Sequence, residues 1–374
     1  MAKLAPKVSV VMSVYNGSNY LKESVESILN QTFSDFEFII VEDCSTDNSG
    51  EIIREYAAQD QRIVIINNEE NIGLTKSLNK GLKIAKGTYI ARQDADDVAL
   101  AKRFEKQVEI LDRHPDTVLV SCNMEIINPE GKKETETQSV CDPKWVSWYL
   151  MFYNHVDGHS QVMFRLKPVL RLGGYCETRR YSQDYELWCR LSKVGKIFIL
   201  PEILQKRRIH NKSVSAENGS QQRILSLSQS KHNIEQLINQ KLTLEEVEYL
   251  RFFWVGNVWW GQFPDTKKLA FINFKLKNIY LAYLQHGAEH DFSNLETSRQ
   301  LRILIGNQFI SWIKSVSILN LSSILKITFY TFYWHPLGIL GYWLLGHWFK
   351  DFCEKLLRKL SFLFQQLTTR KSYL

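Results

Sequence analysis

The feature that most constrains the fold of this chain is a regular alternation of short apolar runs with helical patterns in its first hundred residues. Residues 7–16, 37–43 and 62–67 are nearly continuous apolar runs, which are typical of parallel strands that are buried on both faces. A stretch with apolar residues at helical spacing follows each run, and Leu21 and Val25 belong to the first of these. The alternation predicts an α/β fold with a doubly wound, mostly parallel sheet that binds ligands at the carboxyl ends of its strands.

A fourth strand, predicted within residues 87–93, leads directly into three carboxylates at Asp94, Asp96 and Asp97. Like charges this close together raise one another's pKa unless a cation neutralises them, and a hard divalent cation with oxygen ligands commonly does so. The simpler alternative is a solvated acidic turn in which Asp97 caps the following helix. Tyr15 and Asp43 stand at the ends of the first two strands, so we expect them to line the same crevice as the acidic turn.

Seven short motifs, taken in order, resemble those of the family 2 glycosyltransferases, which have the GT-A fold. They are VMSVYNG (11–17), VEDCSTD (41–47), NIGLTKSLNKG (71–81), GTYIARQDADD (87–97), HSQVMFR (159–165), GGY (173–175) and QDYELW (183–188). The resemblance covers roughly residues 7–215 and implies a GT-A-like sheet with a C-terminal helical extension. It also implies transfer of a sugar from a nucleoside-diphosphate sugar to an acceptor.

The resemblance assigns roles on the donor side of this site. Asp96 matches the direct metal ligand, for Mn²⁺ or Mg²⁺, and Asp94 matches the partner of the ribose or of the metal. His210 matches a histidine that completes the metal site in several relatives. Asp43 matches the carboxylate that reads the nucleobase, often uracil, and Tyr15 is expected to pack on that base. Purely structural roles for Tyr15 and His210 remain open alternatives.

On the acceptor side, Asp184 matches the general base of inverting members, and a helix-capping aspartate is its alternative role. A carboxylate within hydrogen-bond reach of an acceptor hydroxyl can take its proton during attack. Gln183 replaces an acidic residue that is usual there, which removes one like charge beside Asp184. Cys44 stands where glycine is common. The basic stretch 206–208 either contacts the diphosphate or is solvated, and Arg207 stands where tyrosine is frequent.

The charge of the chain restricts its partners. A formal net charge of +7 and a pI near 8.9 suit a nucleotide, a phospholipid surface or a lipid-linked acceptor. Nucleic acid is not expected, because no basic stripe with interleaved aromatic residues is present. The six cysteines form no C-x-x-C pair, so reduced thiols are expected rather than a zinc site. The N-terminal residues lack the apolar core of a signal peptide, which predicts a cytoplasmic catalytic half.

The pattern changes near residue 216, where strand signals give way to helices. We therefore expect a catalytic domain in 1–215, with a nucleotide-sugar-binding half (1–105) and an acceptor-binding half (106–215), followed by a helical region in 216–374. No charged residue lies between Lys326 and Lys350, and a basic amphipathic helix is predicted after them. Residues 327–369 are expected to contact the inner face of the cell membrane, while a spanning segment and plain core packing remain alternatives for 327–349.

The sequence thus predicts an inverting glycosyltransferase that uses a UDP-linked donor and a saccharide or lipid-linked acceptor, in the biosynthesis of a cell-surface or exported polysaccharide. Two other classes stay open at this point. A nucleotidyltransferase would also need acidic metal ligands, although it would usually carry a glycine-rich phosphate loop after the first strand. A non-catalytic membrane-associated subunit could keep the fold and lose the reactive carboxylates, yet Asp94, Asp96 and Asp184 are all present. An NAD-dependent oxidoreductase is disfavoured because no G-x-G-x-x-G follows the first strand.

Overall fold

A computed structural model describes residues 5–139, 142–211, 213–255, 266–286, 295–315 and 321–344. The chain divides into two compact units, Met1–Asn233 and Ile234–Leu374. The predicted boundary at residue 215 falls just after the start of the long helix that runs across this division. The predicted basic amphipathic helix after residue 349 lies outside the described residues.

The first unit is built on one sheet, which has nine strands among the described residues. The strands are β1 (Val8–Val14), β2 (Phe36–Glu42), β3 (Ile63–Asn67), β4 (Tyr89–Arg92), β5 (Val98–Ala99), β6 (Thr117–Ile127), β7 (Lys133–Glu136), β8 (Met163–Arg165) and β9 (Lys196–Arg208). Their order is β3-β2-β1-β4-β8-β6-β9-β5, and β7 pairs with β6. Only β5, β7 and β8 run against the direction of the other described strands, so the predicted mostly parallel α/β fold is confirmed.

Helices cover both faces of this sheet and continue into the second unit. Those that begin in the first unit are α1 (Ser18–Leu29), α2 (Ser49–Gln59), α3 (Leu74–Ile84), α4 (Arg103–Arg113), α5 (Pro143–Leu150), α6 (Leu166–Arg171), α7 (Gln183–Leu191) and α8 (Val214–Ile238). The second unit contains α9 (Leu244–Val255), α10 (Thr266–His286), α11 (Leu295–Ser315), α12 (Leu321–Trp334) and α13 (Pro336–Leu344). No described helix is both long enough and apolar enough to cross a bilayer.

The alternation of side chains along β1 explains why the sheet is covered twice. Val8, Val10 and Met12 join a core with α1, α2 and α4, whereas Val11 joins a second core on the other face with α3, α5 and α7. A strand buried on both faces must be apolar at consecutive positions, which is the pattern that the sequence shows.

A close approach at Gly87 fixes where β4 enters the sheet. The Gly87 backbone N–H donates to Ser9 Oγ at 2.8 Å, and a Cβ at this position would lie 2.4 Å from the Ser9 backbone nitrogen. Glycine is therefore required for β4 to pair with β1 in this register. The pairing brings the carboxyl end of β4, and the acidic turn after it, beside the ends of β1 and β2.

Candidate active site

The carboxylate of Asp43, directly after β2, accepts three hydrogen bonds from other parts of the chain. The residue is only 1% exposed. Its Oδ1 accepts from Asn68 Nδ2 at 2.7 Å and from the Ile72 backbone N–H at 3.0 Å, and its Oδ2 accepts from the Gly73 N–H at 2.9 Å. An ionised carboxylate offers about four lone-pair positions. Asp43 therefore fixes the start of α3 and keeps about one acceptor position for a further donor.

Tyr15 follows β1 and lies beside Asp43 along the sheet edge. The Asp43 N–H donates to the Val14 carbonyl at 2.8 Å, which joins the ends of the two strands. The Tyr15 side chain is 51% exposed. A large aromatic residue that remains this open offers a ring face to a planar ligand, and the expected stacking on a nucleobase stays a prediction.

The three carboxylates of the acidic turn have three different partners. Arg92, which is buried at the end of β4, donates to Asp94 Oδ1. His210 follows β9, and its Nε2 lies 3.0 Å from Asp96 Oδ2. Asp97 is buried and accepts from the Arg208 backbone N–H at 2.9 Å. Asp97 does not cap the following helix, because β5 intervenes and Lys102 occupies the N-cap position of α4, so that alternative is wrong.

The electrostatics of the turn follow from burial and crowding. Burial and the charge of Asp94 raise the pKa of Asp96. Burial and the charges of Asp96 and Asp94 raise the pKa of Asp97 to about 8. Burial also acts to raise the pKa of Asp94, but Arg92 and the neighbouring His159 and Arg207 outweigh it, so the pKa is lowered. The turn thus holds more negative charge than its surroundings favour.

A divalent cation is compatible with this arrangement. The raised pKa of Asp96 marks a carboxylate whose charge lacks full compensation, and a carboxylate oxygen beside an imidazole nitrogen suits Mn²⁺ or Mg²⁺. Within the described part of the chain, no group of three or more His, Cys, Asp or Glu side chains is arranged to hold a metal. Asp96 and His210 would therefore provide only part of a coordination shell, as in sites that share a cation with substrate phosphates.

Asp184 lies in the first turn of α7. Asn154 Nδ2 donates to Asp184 Oδ2 at 3.1 Å. Burial raises the pKa of Asp184, the nearby Arg207 guanidinium opposes the rise, and the charge of Asp94 adds to it. The electrostatic influence of Asp94 shows that the fold brings the predicted base near the acidic turn, although 90 residues separate the two in sequence.

A buried polar layer beneath the acidic turn was missed by the sequence reasoning. Arg103, on α4, donates to Gln93 Oε1, the Ser160 carbonyl and Gln205 Oε1, at 3.0, 2.7 and 2.6 Å respectively. It also donates to the Arg92 carbonyl at 3.1 Å. The only signal in the sequence was a set of polar residues within otherwise apolar stretches. Asn154, the partner of Asp184, carried no comparable signal.

The basic stretch 206–208 is neither simply solvated nor uniformly directed at a ligand. Arg208 is buried and donates to the carbonyls of Asp96, Asn128 and Pro129. Lys206 Nζ lies 3.5 Å from Glu125 Oε2. Arg208 is therefore neither solvated nor directed at a diphosphate, so both expected roles are wrong for it. Its hydrogen bonds instead hold the acidic turn in place. Arg207 acts electrostatically on Asp94, Asp157 and Asp184.

Cys44 adopts a left-handed backbone conformation, with φ of 62°. Only glycine adopts such a φ without a steric penalty, which fits the expectation of glycine that the resemblance gave for this position. Glu42 supports the turn, since its carboxylate accepts from the backbone N–H groups of Cys44 and Ser45.

Comparisons with known proteins agree with this architecture. A family model for glycosyl transferase family 2 matches residues 9–167. The chain is 41% identical over 212 residues to an uncharacterized glycosyltransferase of Methanocaldococcus jannaschii. The aligned region covers 55% of this chain and 72% of that relative. It is also 35% identical over 218 residues to the O-antigen biosynthesis glycosyltransferase WbnJ of Escherichia coli. Here the aligned region covers 56% of this chain and 83% of the relative.

Among solved structures, S. aureus TarS 1–349 in complex with UDP-GlcNAc superposes with a TM-score of 0.51. The two chains are 16% identical, and the match covers 91% of this chain and 92% of that one. This likeness concerns the fold alone. The family assignment comes from the sequence relatives, because they combine substantial identity with coverage of most of their own length. The chain belongs to glycosyltransferase family 2, and the protein is a glycosyltransferase.

Proposed function

We propose that this enzyme transfers a sugar from a UDP-linked donor to a hydroxyl of a saccharide or lipid-linked acceptor, with inversion at the anomeric carbon. The observation that carries the proposal is the position of Asp184. Its half-buried carboxylate accepts from Asn154 Nδ2, and Asp94 lies close enough for its charge to add to the raised pKa of Asp184. Carboxyl groups whose pKa is shifted by desolvation and by a nearby charge are typical of catalytic sites.

In this mechanism Asp184 is the general base. The acceptor oxygen attacks the anomeric carbon while its proton moves to the Asp184 carboxylate. The bond between the anomeric carbon and the diphosphate oxygen breaks, and its electron pair leaves with the nucleoside diphosphate. A base with a raised pKa is a stronger proton acceptor, which suits it to a weakly acidic alcohol. One displacement of this kind inverts the anomeric configuration.

The hydrogen bonds of Asp43 favour uracil over guanine. Three of its roughly four acceptor positions are already used by Asn68, Ile72 and Gly73. Uracil presents a single ring N–H to such a carboxylate, whereas guanine presents two adjacent donors. The exposed ring of Tyr15, beside Asp43, would support the base from its face.

Asp96 and His210 would hold Mn²⁺ or Mg²⁺ against the donor diphosphate. When bound, such a cation neutralises charge that develops on the leaving diphosphate. Arg208 keeps the backbone of the turn in place through the Asp96 carbonyl and through its own N–H to Asp97. The chain thus positions the carboxylates before any donor binds.

The biological setting is proposed from a relative. WbnJ is named for O-antigen biosynthesis, and this chain covers 83% of it. We assign the present enzyme to the biosynthesis of a cell-surface or exported polysaccharide. Membership of the glycosyltransferase family argues against both alternatives raised by the sequence, the nucleotidyltransferase and the non-catalytic subunit.

The test is a donor panel measured with the full chain, with and without EDTA. Hydrolysis or transfer should be fastest with UDP-sugars in Mn²⁺ or Mg²⁺. Asp184→Asn should lower turnover by at least about a hundredfold while UDP still binds. Glu186→Gln is a matched control in the same helical turn. Glu186 forms an ion pair with Arg190, so this variant should keep its turnover.

Three outcomes would contradict the proposal. The first is full activity of Asp184→Asn, and the second is a product that retains the donor's anomeric configuration by NMR. The third concerns the metal. The proposal expects Mn²⁺ to strengthen UDP binding to the native chain but not to Asp96→Asn, so an equal effect on both chains would contradict it. The control for that comparison is Asp116→Asn, which removes a carboxylate paired with Lys196 at the opposite end of the sheet.

A further inference from the structure

The second unit exposes an unusual apolar surface on α12 and α13. Phe329 is 70% exposed and Leu337 is 71% exposed, and Leu325, Phe332 and Leu340 on the same two helices are exposed as well. The opposite side of these helices is buried through Ile327, Trp334 and Ile339. A helix at the surface of a soluble protein normally turns a polar side to water, whereas these helices are apolar on both sides. We call the exposed residues the α12–α13 apolar face.

This face has a cationic border. The Lys277 ammonium, on α10, lies 3.7 Å from the centroid of the Tyr333 ring. Arg302, on α11, donates to the Tyr333 carbonyl and places its guanidinium 5.5 Å from the same ring. On α10, Lys277 is flanked by the exposed residues Phe274 and Leu281, so apolar side chains continue beyond the border. Two cations thus surround an aromatic ring beside exposed phenyl groups.

The charge pattern of the sequence indicates what this face contacts. The described segment 321–344 contains no acidic residue and has Lys326 as its one Lys or Arg. Four basic residues follow within 350–359, against two acidic ones, and the whole chain carries +7. An apolar partner protein would require no cations. An anionic phospholipid surface requires both features, because acyl chains accept the apolar side chains and headgroup phosphates attract Lys and Arg.

We infer that the α12–α13 apolar face docks on an anionic phospholipid membrane, with Phe329, Phe332 and Leu337 below the headgroups and with Lys277 and Arg302 at the level of the phosphates. Tyr333 lies at the boundary, where aromatic rings with a polar end are favoured. The inference goes beyond the proposed transfer reaction, because it uses no residue of the crevice. It deepens the expectation for residues 327–369 by assigning the contact to particular side chains.

The test is co-sedimentation of the full chain with vesicles of phosphatidylcholine alone and of phosphatidylcholine with phosphatidylglycerol. The native chain should bind the anionic vesicles, and salt should weaken the binding without abolishing it. The double variant Phe329→Glu/Phe332→Glu should lower the partition coefficient roughly tenfold or more. Ile224→Glu, at an equally exposed apolar residue on α8, is the matched control and should bind like the native chain.

A second double variant, Lys277→Gln/Arg302→Gln, should lose most of the preference for anionic over zwitterionic vesicles. Unchanged far-UV circular dichroism and unchanged sugar-nucleotide hydrolysis would show that each variant is folded. The inference is overturned if the native chain stays in the supernatant with anionic vesicles, or if the Phe329/Phe332 variant binds as well as the Ile224 control. It is also overturned if light scattering shows a dimer that these glutamates dissociate while vesicle binding persists, since the face would then belong to a second copy of the chain.

Discussion

Replacing Arg103 by methionine should strongly destabilise the catalytic unit. Arg103 is fully buried, and its guanidinium reaches four neutral oxygens at 2.6 to 3.1 Å. Three of these contacts share the two protons of Nη1, so they amount to about three full hydrogen bonds. Each bond from a charged donor contributes about 2 kcal/mol, so the loss of about three bonds costs about 6 kcal/mol. Methionine retains much of the apolar stem of the side chain, so that little of the loss comes from a cavity.

A second effect offsets part of this loss. Burial lowers the pKa of Arg103 to about 10, from an ordinary value of 12.5, which corresponds to a penalty of about 3 kcal/mol for keeping the cation in the core. The variant no longer bears that penalty, and the amides of Gln93 and Gln205 can turn toward new partners. We therefore expect the free energy of unfolding to fall by about 3 kcal/mol.

The assay is equilibrium urea unfolding of the full chain, followed by circular dichroism and tryptophan fluorescence. Arg103→Lys should lie between the native chain and Arg103→Met, because an ammonium can replace only some of these hydrogen bonds. Arg113→Met is the matched control. It lies on the same helix, its side chain is 69% exposed, and it forms a surface ion pair with Glu109, so its loss should cost at most about 0.5 kcal/mol. A loss below about 1 kcal/mol for Arg103→Met would refute the reasoning.

Three further predictions follow from particular contacts. Gly87→Ala should prevent stable folding or cost more than about 3 kcal/mol in thermal unfolding, because its Cβ would lie 2.4 Å from backbone, whereas Gly219→Ala, with open space around it, should be nearly neutral. Because burial raises the pKa of Asp184, turnover should fall as the pH drops through that raised value. Arg207→Gln removes a cation that lowers this pKa, so the acid limb of the pH–kcat profile should move to higher pH, and an unmoved limb would contradict the role of Arg207. Burial acts to raise the pKa of Asp47, but hydrogen bonds from Ser49 and Ser18 outweigh it and lower the pKa to about 2. Asp47→Ala should therefore cost about 1–2 kcal/mol at neutral pH, and urea titrations should show this difference shrinking as the pH falls from about 4 toward 2.

Much of the first unit could be predicted from local sequence. Strands buried on both faces must be apolar at consecutive positions, so β1, β2 and β3 were recognisable, and their carboxyl ends correctly indicated where polar residues gather. The acidic turn after β4 was also visible, because three carboxylates in four residues are rarely placed together without a reason. The first turn of α7 was a correct position for Asp184.

The partners of these residues could not be predicted, because they come from distant parts of the chain. Asn154 meets Asp184 from 30 residues away, and Arg208 meets Asp97 from 111 residues away. Asp97 shows the consequence. As a local pattern it resembled a helix cap, but β9 lies beside the turn, and its Arg208 N–H provides the partner instead. Hydrogen bonds of this kind depend on strand order and register, which no local pattern contains.

For this protein, the sequence by itself determined the α/β alternation, the edge of the sheet where the site lies and the family to which the chain belongs. Only the tertiary structure decided that Asp43 keeps about one acceptor position for a further donor, that a buried layer around Arg103 supports the acidic turn, and that α12 is apolar on its exposed side as well as its buried side. The physical reason is the same in each case. Periodicity along the chain determines which residues share a face, but burial and hydrogen bonding depend on what packs against that face.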